Sequence, residues 1–207
     1  MNKDIECYVS GETIGKTVTT QEILSEIERD CVFYETSGGG VTISGGEPLF
    51  QPEFTAEILR RCKEKGIHTA IETSGFASPA VWKDVVTYCD LVLFDIKATD
   101  EEKHLEYTGV PLNIILRNLK TVNEMQIPFV VRLPIIPGLN DRKAHFSAVK
   151  ALVKTLTCCR GAEIMPYHKL GEYKYQQLGR EYRCQHVAEP TKEQVKEWNA
   201  FLKTDGS

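Results

Sequence analysis

The chain carries no Cys-x2-Cys or Cys-x3-Cys-x2-Cys run, so no spacing gathers neighbouring thiolates round a metal. Its seven cysteines, Cys7, Cys31, Cys62, Cys89, Cys158, Cys159 and Cys184, are odd in number and scattered, which argues against a secreted disulfide framework. Cys31, Cys62 and Cys89 fall at apolar positions of helical patterns, where a thiol acts as a small buried hydrophobe. No apolar run approaches the ~20 residues that span a bilayer. The opening Met1-Asn2-Lys3-Asp4 lacks the apolar stretch of a secretory signal, and a cytoplasmic protein is expected. There is no basic excess either: the net charge is -4 and the pI near 5.8. That argues against nucleic-acid binding through a broad basic surface. At 207 residues, 42% hydrophobic and 26% charged, the chain has the size and composition of one soluble domain with a substantial core.

What is present alternates. Thr19 with Glu22 forms a capping box ahead of a helical face of Ile23, Leu24, Ile27 and Cys31. Ser37-Gly38-Gly39-Gly40 ends that element, and a strand is expected over 41–44. A helix over 52–65 follows, with Phe54, Ile58, Leu59 and Cys62 on one face and Gly66 as its stop. Next come a strand over 68–72, the turn Thr73-Ser74-Gly75, and a helix opened by Ser78-Pro79 with Val81, Trp82, Val85, Val86 and Cys89 on its apolar face. Residues 91–96 are almost continuously apolar, as in a parallel strand covered on both sides. After a polar connection, Leu112, Ile115, Leu116, Leu119 and Val122 mark another helix. Strands over 129–133 and 162–165 flank a helix bearing Phe146, Val149, Leu152, Val153 and Leu156. Thr191 and Gln194 cap a last helix running to about 202.

Such alternation predicts an α/β fold with a parallel sheet of right-handed crossover units. About five strands are fewer than the eight of a closed barrel, which takes about 250 residues. The expectation is a partial, open β/α barrel over 19–207, preceded by a polar lead-in over 1–18. Its first strand would be an exposed edge unless another precedes it.

In a parallel barrel, ligands bind at the C-terminal ends of the strands. Read there, the strands end in Ser44-Gly45-Gly46-Glu47-Pro48, then Glu72-Thr73-Ser74, then Asp95 and Lys97, then Arg132, then Tyr167-His168. The glycines let a ligand approach bare backbone, and Pro48 fixes the exit of the turn. Period two places Leu91, Leu93, Asp95 and Lys97 on one face and Val92, Phe94 and Ile96 on the other. Simpler readings exist for each residue alone. Asp95 with Lys97 fits a structural ion pair, and Glu72 a solvated turn residue. Arg132 fits a stem covering apolar surface, and His168 a surface histidine, as do His68, His104, His145 and His186. Convergence at one rim favours a site. Glu47, Glu72 and Asp95 suit an ammonium group or a cation, and Lys97 and Arg132 a carboxylate. One small zwitterion, such as an amino acid, satisfies all five.

With those residues in hand, the chain resembles the radical S-adenosylmethionine enzymes that activate glycyl radical enzymes, the pyruvate formate-lyase activating enzyme family. The likeness covers roughly 19–203 and rests on several ordered motifs. These are the run 37–48, Glu72-Thr73-Ser74-Gly75, Asp95-Ile96-Lys97, Arg132 with Pro137-Gly138, and Met165-Pro166-Tyr167-His168 with Leu170-Gly171. The resemblance implies S-adenosylmethionine as cofactor. Gly45, Gly46 and Glu47 would hold its amino group, Lys97 would meet its carboxylate, and His168 its nucleoside. Glu72, Thr73 and Asp95 would form a monovalent-cation site. Arg132 and the loop 169–179 would lie near a partner's glycine-bearing peptide. It also implies a 4Fe–4S cluster, fed by flavodoxin or ferredoxin, whose electron splits the cofactor into a radical that takes hydrogen from that glycine.

One departure stands out: the family's Cys-x3-Cys-x2-Cys cluster motif is absent, and clusters need thiolates. A C-terminal barrel portion of an activating enzyme, without cluster ligands of its own, is therefore expected. Two alternatives stay open. One is a cluster-less binding module for S-adenosylmethionine or for a glycyl radical enzyme. The other is an aldolase-like barrel with a Schiff-base Lys97, ranked last because Asp95 would raise the lysine pKa rather than lower it.

Overall fold

A computed structural model describes residues 15–203; most of the expected lead-in over 1–18 lies outside them, as does Cys7. Five parallel strands form one sheet in the order of the chain. They are β1 (Gly40–Ile43), β2 (His68–Thr73), β3 (Leu91–Asp95), β4 (Phe129–Ile135) and β5 (Cys159–Pro166). Helices come between: α1 (Thr20–Arg29) and α2 (Cys31–Ser37) before β1, then α3 (Pro52–Glu64), α4 (Pro79–Val86), α5 (Glu101–Thr108), α6 (Leu112–Glu124) and α7 (Lys143–Lys154). After β5 come α8 (Glu172–Gln177) and α9 (Lys192–Lys203). Sequential order without reversal is the winding of a barrel wall, not of a doubly wound sheet with a switch point.

One face of the sheet is packed. Ile71, Val92, Phe94, Ile96, Phe129, Val131, Leu133 and Ile135 are fully buried in one cluster with Trp82, Val85, Leu119, Val122, Phe146 and Val149 of the helices. Trp82 meets Phe94 edge-on at 5.7 Å, and its indole N–H donates to Asn118 O at 2.8 Å. A smaller cluster of Leu24, Ile58, Cys62 and Ile67 seats α1 against α3 and β1. Alternation along each strand leaves the opposite face to half-exposed residues, including Glu72, Leu93, Asp95 and Arg132.

Both expected capping boxes are present. Thr19 N donates to Glu22 at 2.7 Å and Thr191 N to Gln194 at 2.8 Å. Four expectations need correction. The connection after β3 contains α5, capped by Asp100 Oδ1 accepting from Lys103 N at 2.9 Å and stopped by Gly109 in the left-handed region. Its weak apolar face hid it; the caps alone gave it away. Cys31 does not continue the first helix, because the chain breaks at Asp30 and restarts as α2. Residues 134 and 135 extend β4 instead of opening a loop, since β4 beyond Arg132 pairs with β5 alone, an edge-like stretch that tolerates proline. Finally, His104 and His145 are buried, not on the surface: His104 Nδ1 lies 2.9 Å from Val110 O, and His145 Nδ1 lies 3.0 Å from Thr99 Oγ1.

Candidate functional site

A cavity of about 430 Å³ opens at the C-terminal ends of β1, β2 and β3. Its floor and polar wall are Ser44, Gly45, Gly46, Glu47, Glu72, Thr73, Ser74, Asp95 and Lys97. The other wall is less polar: Leu49, Phe50 and Phe76 on one side, and His104, Tyr107, Thr108, Val110 and Ile115 on the other. The nine residues of the floor and polar wall, all named at strand ends from sequence, thus line one space. Pro48 is buried just behind it, opening a short 3-10 turn, Pro48–Phe50. Arg132 and His168 do not line it. Arg132 stands one strand further along the open face, and His168 is exposed beyond β5, ahead of a turn over Lys169–Gly171.

The glycine loop is built for close approach. Gly45 has φ +118°, a conformation side chains rarely adopt, and a Cβ on Gly45 or Gly46 would meet no atom within 4 Å. Glu47 fastens this loop to the end of β2. One carboxylate oxygen accepts from Thr73 Oγ1 and from Leu49 N at 3.2 Å; the other accepts from Ser74 N at 2.9 Å and Ser74 Oγ at 2.6 Å. The acid is therefore both an anion at the cavity edge and a brace for the glycines.

On the open face a second chain of charge crosses the strands. Ser44 Oγ donates to Glu72 at 2.8 Å, Arg132 pairs with Glu72 at 2.8 Å, and Glu163 lies 3.8 Å from the Arg132 Nε. Asp95 pairs with Lys97 at 3.0 Å. Burial pushes the Asp95 carboxyl above the usual range and Glu72 adds to this, while Lys97 and Arg132 oppose it. Lys97 keeps more than a third of its side chain exposed. Its Nζ is held in the ion pair with Asp95 and lacks the enclosure by apolar surface that a carbonyl-attacking lysine needs. The Schiff-base alternative has no support here.

For S-adenosylmethionine the chemistry of this donor set fits. A cation with N–H groups to spare, bare glycine backbone and fixed acids surround one cavity, with aromatic surface beside them. For an iron–sulfur cluster it does not. The described cysteines are spread over α2, α3, the turn after α4, the start of β5 with the residue before it, and the loop after α8. Among the described residues no three His, Cys, Asp or Glu side chains are grouped to hold a metal ion. For the expected cation trio, Thr73 Oγ1 is turned to Glu47 while Glu72 faces Arg132 and Ser44. The sequence reading missed the wall formed by His104, Tyr107 and Thr108, because it missed α5; the Asp100 cap and Gly109 were the available signal.

Comparison with known proteins agrees with this geometry. The family described as "Radical SAM superfamily" matches residues 7–147. The chain is 36% identical over 189 residues to the trans-4-hydroxy-L-proline dehydratase activating enzyme of Clostridioides difficile, covering 90% of this chain and 62% of that protein. It is also 36% identical over 189 residues to the pyruvate formate-lyase-activating enzyme of Clostridium pasteurianum, covering 91% of this chain and 79% of that protein. A crystal structure of a domain of pyruvate-formate lyase-activating enzyme from Bacteroides vulgatus superposes with a TM-score of 0.64 at 30% identity, over 79% of this chain and 92% of that one. The chain thus spans about three fifths of the first of these relatives. Half-barrel, motifs and relatives agree: the chain belongs to the radical S-adenosylmethionine superfamily and, within it, to the activating enzymes of glycyl radical enzymes.

Proposed function

We propose that this chain is the C-terminal barrel portion of a glycyl radical enzyme activating enzyme and supplies its S-adenosylmethionine-holding cavity. The observation that carries the reading is the meeting, in one space, of open glycine backbone at 45–46 with the Asp95–Lys97 pair. Lys97 has three N–H donors; one goes to Asp95 and the rest are free for the ligand's carboxylate. Asp95 thereby orients the ammonium. The ligand's amino group is met by the glycine loop, whose carbonyl oxygens Glu47 holds in place and whose negative field it supplies. Phe50, Phe76 and Tyr107 offer apolar surface to the rest of the cofactor. His168 and Arg132, outside the lining, are assigned to the nucleoside and to the partner's peptide, and Leu170 and Tyr173, which follow His168 in the chain, are exposed.

In this family a cluster supplies the electron that cleaves the cofactor. The described residues hold no ligands for it, and no electron-transfer step is assigned to them. Reductive cleavage, hydrogen abstraction from a partner's glycine, reduction by flavodoxin or ferredoxin, and a cytoplasmic setting are proposed for the whole protein. No helix among the described residues is long and apolar enough to cross a membrane. A monovalent cation between Glu72 and Asp95 belongs to the same proposal and requires Thr73 to leave Glu47.

Calorimetry of this chain with S-adenosylmethionine tests the core of the reading. Saturable binding is expected, weakened at least about tenfold by Lys97→Ala, the loss of one charge-assisted contact. Absence of binding at millimolar ligand would overturn it. The ungrouped cysteines favour one second reading, a module that binds without cleaving. Tight binding of a glycine-loop peptide by a gene product that takes up no iron would support that alternative.

A further inference from the structure

We infer that Asn140 is a positioning residue for Lys97, so that the loop between β4 and α7 sets affinity at the cavity without touching the ligand. The inference rests on the reading that Lys97 meets the cofactor's carboxylate. Lys97 lies beyond the end of β3. The last ladder pair there is Asp95 with Arg132, and the last backbone bond runs from Ile96 N to Arg132 O at 2.8 Å. Among the described residues no backbone N–H reaches the carbonyl of Lys97. Its partner is the Asn140 side chain, whose Nδ2 donates to Lys97 O at 2.8 Å.

Asn140 is buried, 7% exposed, and uses both ends of its amide. Nδ2 also donates to Pro134 O at 2.7 Å, and Oδ1 accepts from Ile136 N at 2.8 Å. One side chain therefore ties the end of β4, its own loop and the peptide after Lys97 into a single unit. Two further bonds join the same partners: Tyr107 Oη donates to Leu139 O at 3.1 Å, and Thr99 Oγ1 meets His145 Nδ1 at 3.0 Å. The flanking residues need this tie least. Ile96 and Ala98 are buried on the packed side, which sends Lys97 to the cavity side but leaves the rotation of its peptide unfixed. With the Asn140 amide removed, a part-buried carbonyl loses its donor, and the segment turns to find another. The ammonium moves with it.

The test measures two quantities on the full chain. Calorimetry gives the affinity for S-adenosylmethionine in wild type, Asn140→Ala, Asn140→Asp and Lys97→Ala. Hydrogen exchange gives local opening in the same proteins. Asn140→Asp keeps the shape and the Ile136 bond while replacing the donor by an acceptor, and it decides on the same criteria should Asn140→Ala not fold. Expected are an affinity loss of about tenfold and faster exchange confined to residues 96–99 and 136–140. Wild-type affinity in the Asn140 variants, with Lys97→Ala impaired, sinks this inference and leaves the proposed function standing. Weakened binding with faster exchange across the whole sheet assigns Asn140 to bulk stability and overturns the inference too. No binding by wild type, or full binding by Lys97→Ala, removes the proposed function and the inference together.

Discussion

His145 gives a pH dependence that can be worked through. It is 7% exposed at the start of α7; Thr99 Oγ1 lies 3.0 Å from its Nδ1, and Phe146 packs at a tilt 6.0 Å away. Among the described residues no acid pairs with it, and its Nε2 is buried without a partner. Burial drives the imidazole down from 6.5 to about 4. Between those values the unfolded chain takes a proton that the folded chain refuses. The contribution is thus fully present above about pH 6.5 and is lost as pH falls towards 4, a difference of about 3 kcal/mol at most. For a domain of this size that is a fall in Tm of about 6–12 °C. Asp95 works the other way, since burial raises its carboxyl and favours the protonated folded state at the acid end, so the wild-type curve alone is ambiguous. His145→Asn separates the two, because its amide keeps a partner for Thr99 but does not titrate. Unfolding free energies from urea denaturation, measured from pH 7 to pH 4, are expected to fall less steeply in the variant by about 3 kcal/mol. Parallel curves for the two proteins would refute the claim that a neutral, proton-refusing histidine is buried at the start of α7.

Glu47→Gln keeps the shape of the brace but turns one acceptor into a donor, so the backbone N–H of either Leu49 or Ser74 loses its acceptor while the hydroxyl beside it must reverse. After allowance for partial exposure the loss is about 1–2 kcal/mol, a drop in Tm of about 3–6 °C; a melt within about 1 °C of wild type would show the four bonds to be idle. Gly40→Ala and Gly46→Ala are expected to separate stability from binding. A Cβ on Gly40 would lie 2.0 Å from His68 O, so β1 must part from β2, at a cost of about 2 kcal/mol or more, with rapid hydrogen exchange at 41–43. A Cβ on Gly46 meets nothing, so folding is untouched while calorimetry finds binding of S-adenosylmethionine abolished. Equal melts for these two variants, or full binding by Gly46→Ala, would contradict the geometry.

The alternation of apolar runs with turn residues was enough to fix the five strands and the helices that cover them. Burial on both sides of a parallel strand writes itself into the chain as in 91–96, and period two placed Asp95 and Lys97 opposite Phe94 and Ile96 before any coordinate was known. Glu47, Glu72 and Asp95 were legible as site residues for the same reason, since an acid at the end of an apolar strand is conspicuous. Their partners were not. That Glu47 reaches Thr73 and Ser74, that Glu72 is shared by Ser44 and Arg132, and that Asn140 caps the carbonyl of Lys97 are contacts between residues 26 to 60 positions apart. Such contacts depend on how far each loop folds back, which local sequence leaves open. The same holds for the wall built by α5. Its helix is announced only by caps, because its inner face is made of His104, Tyr107 and Thr108, which no hydrophobic period distinguishes from solvent-facing polar residues. Periodic burial is a local property and can be read from the chain; which polar group satisfies which, across strands, is decided only when the strands are assembled into the sheet.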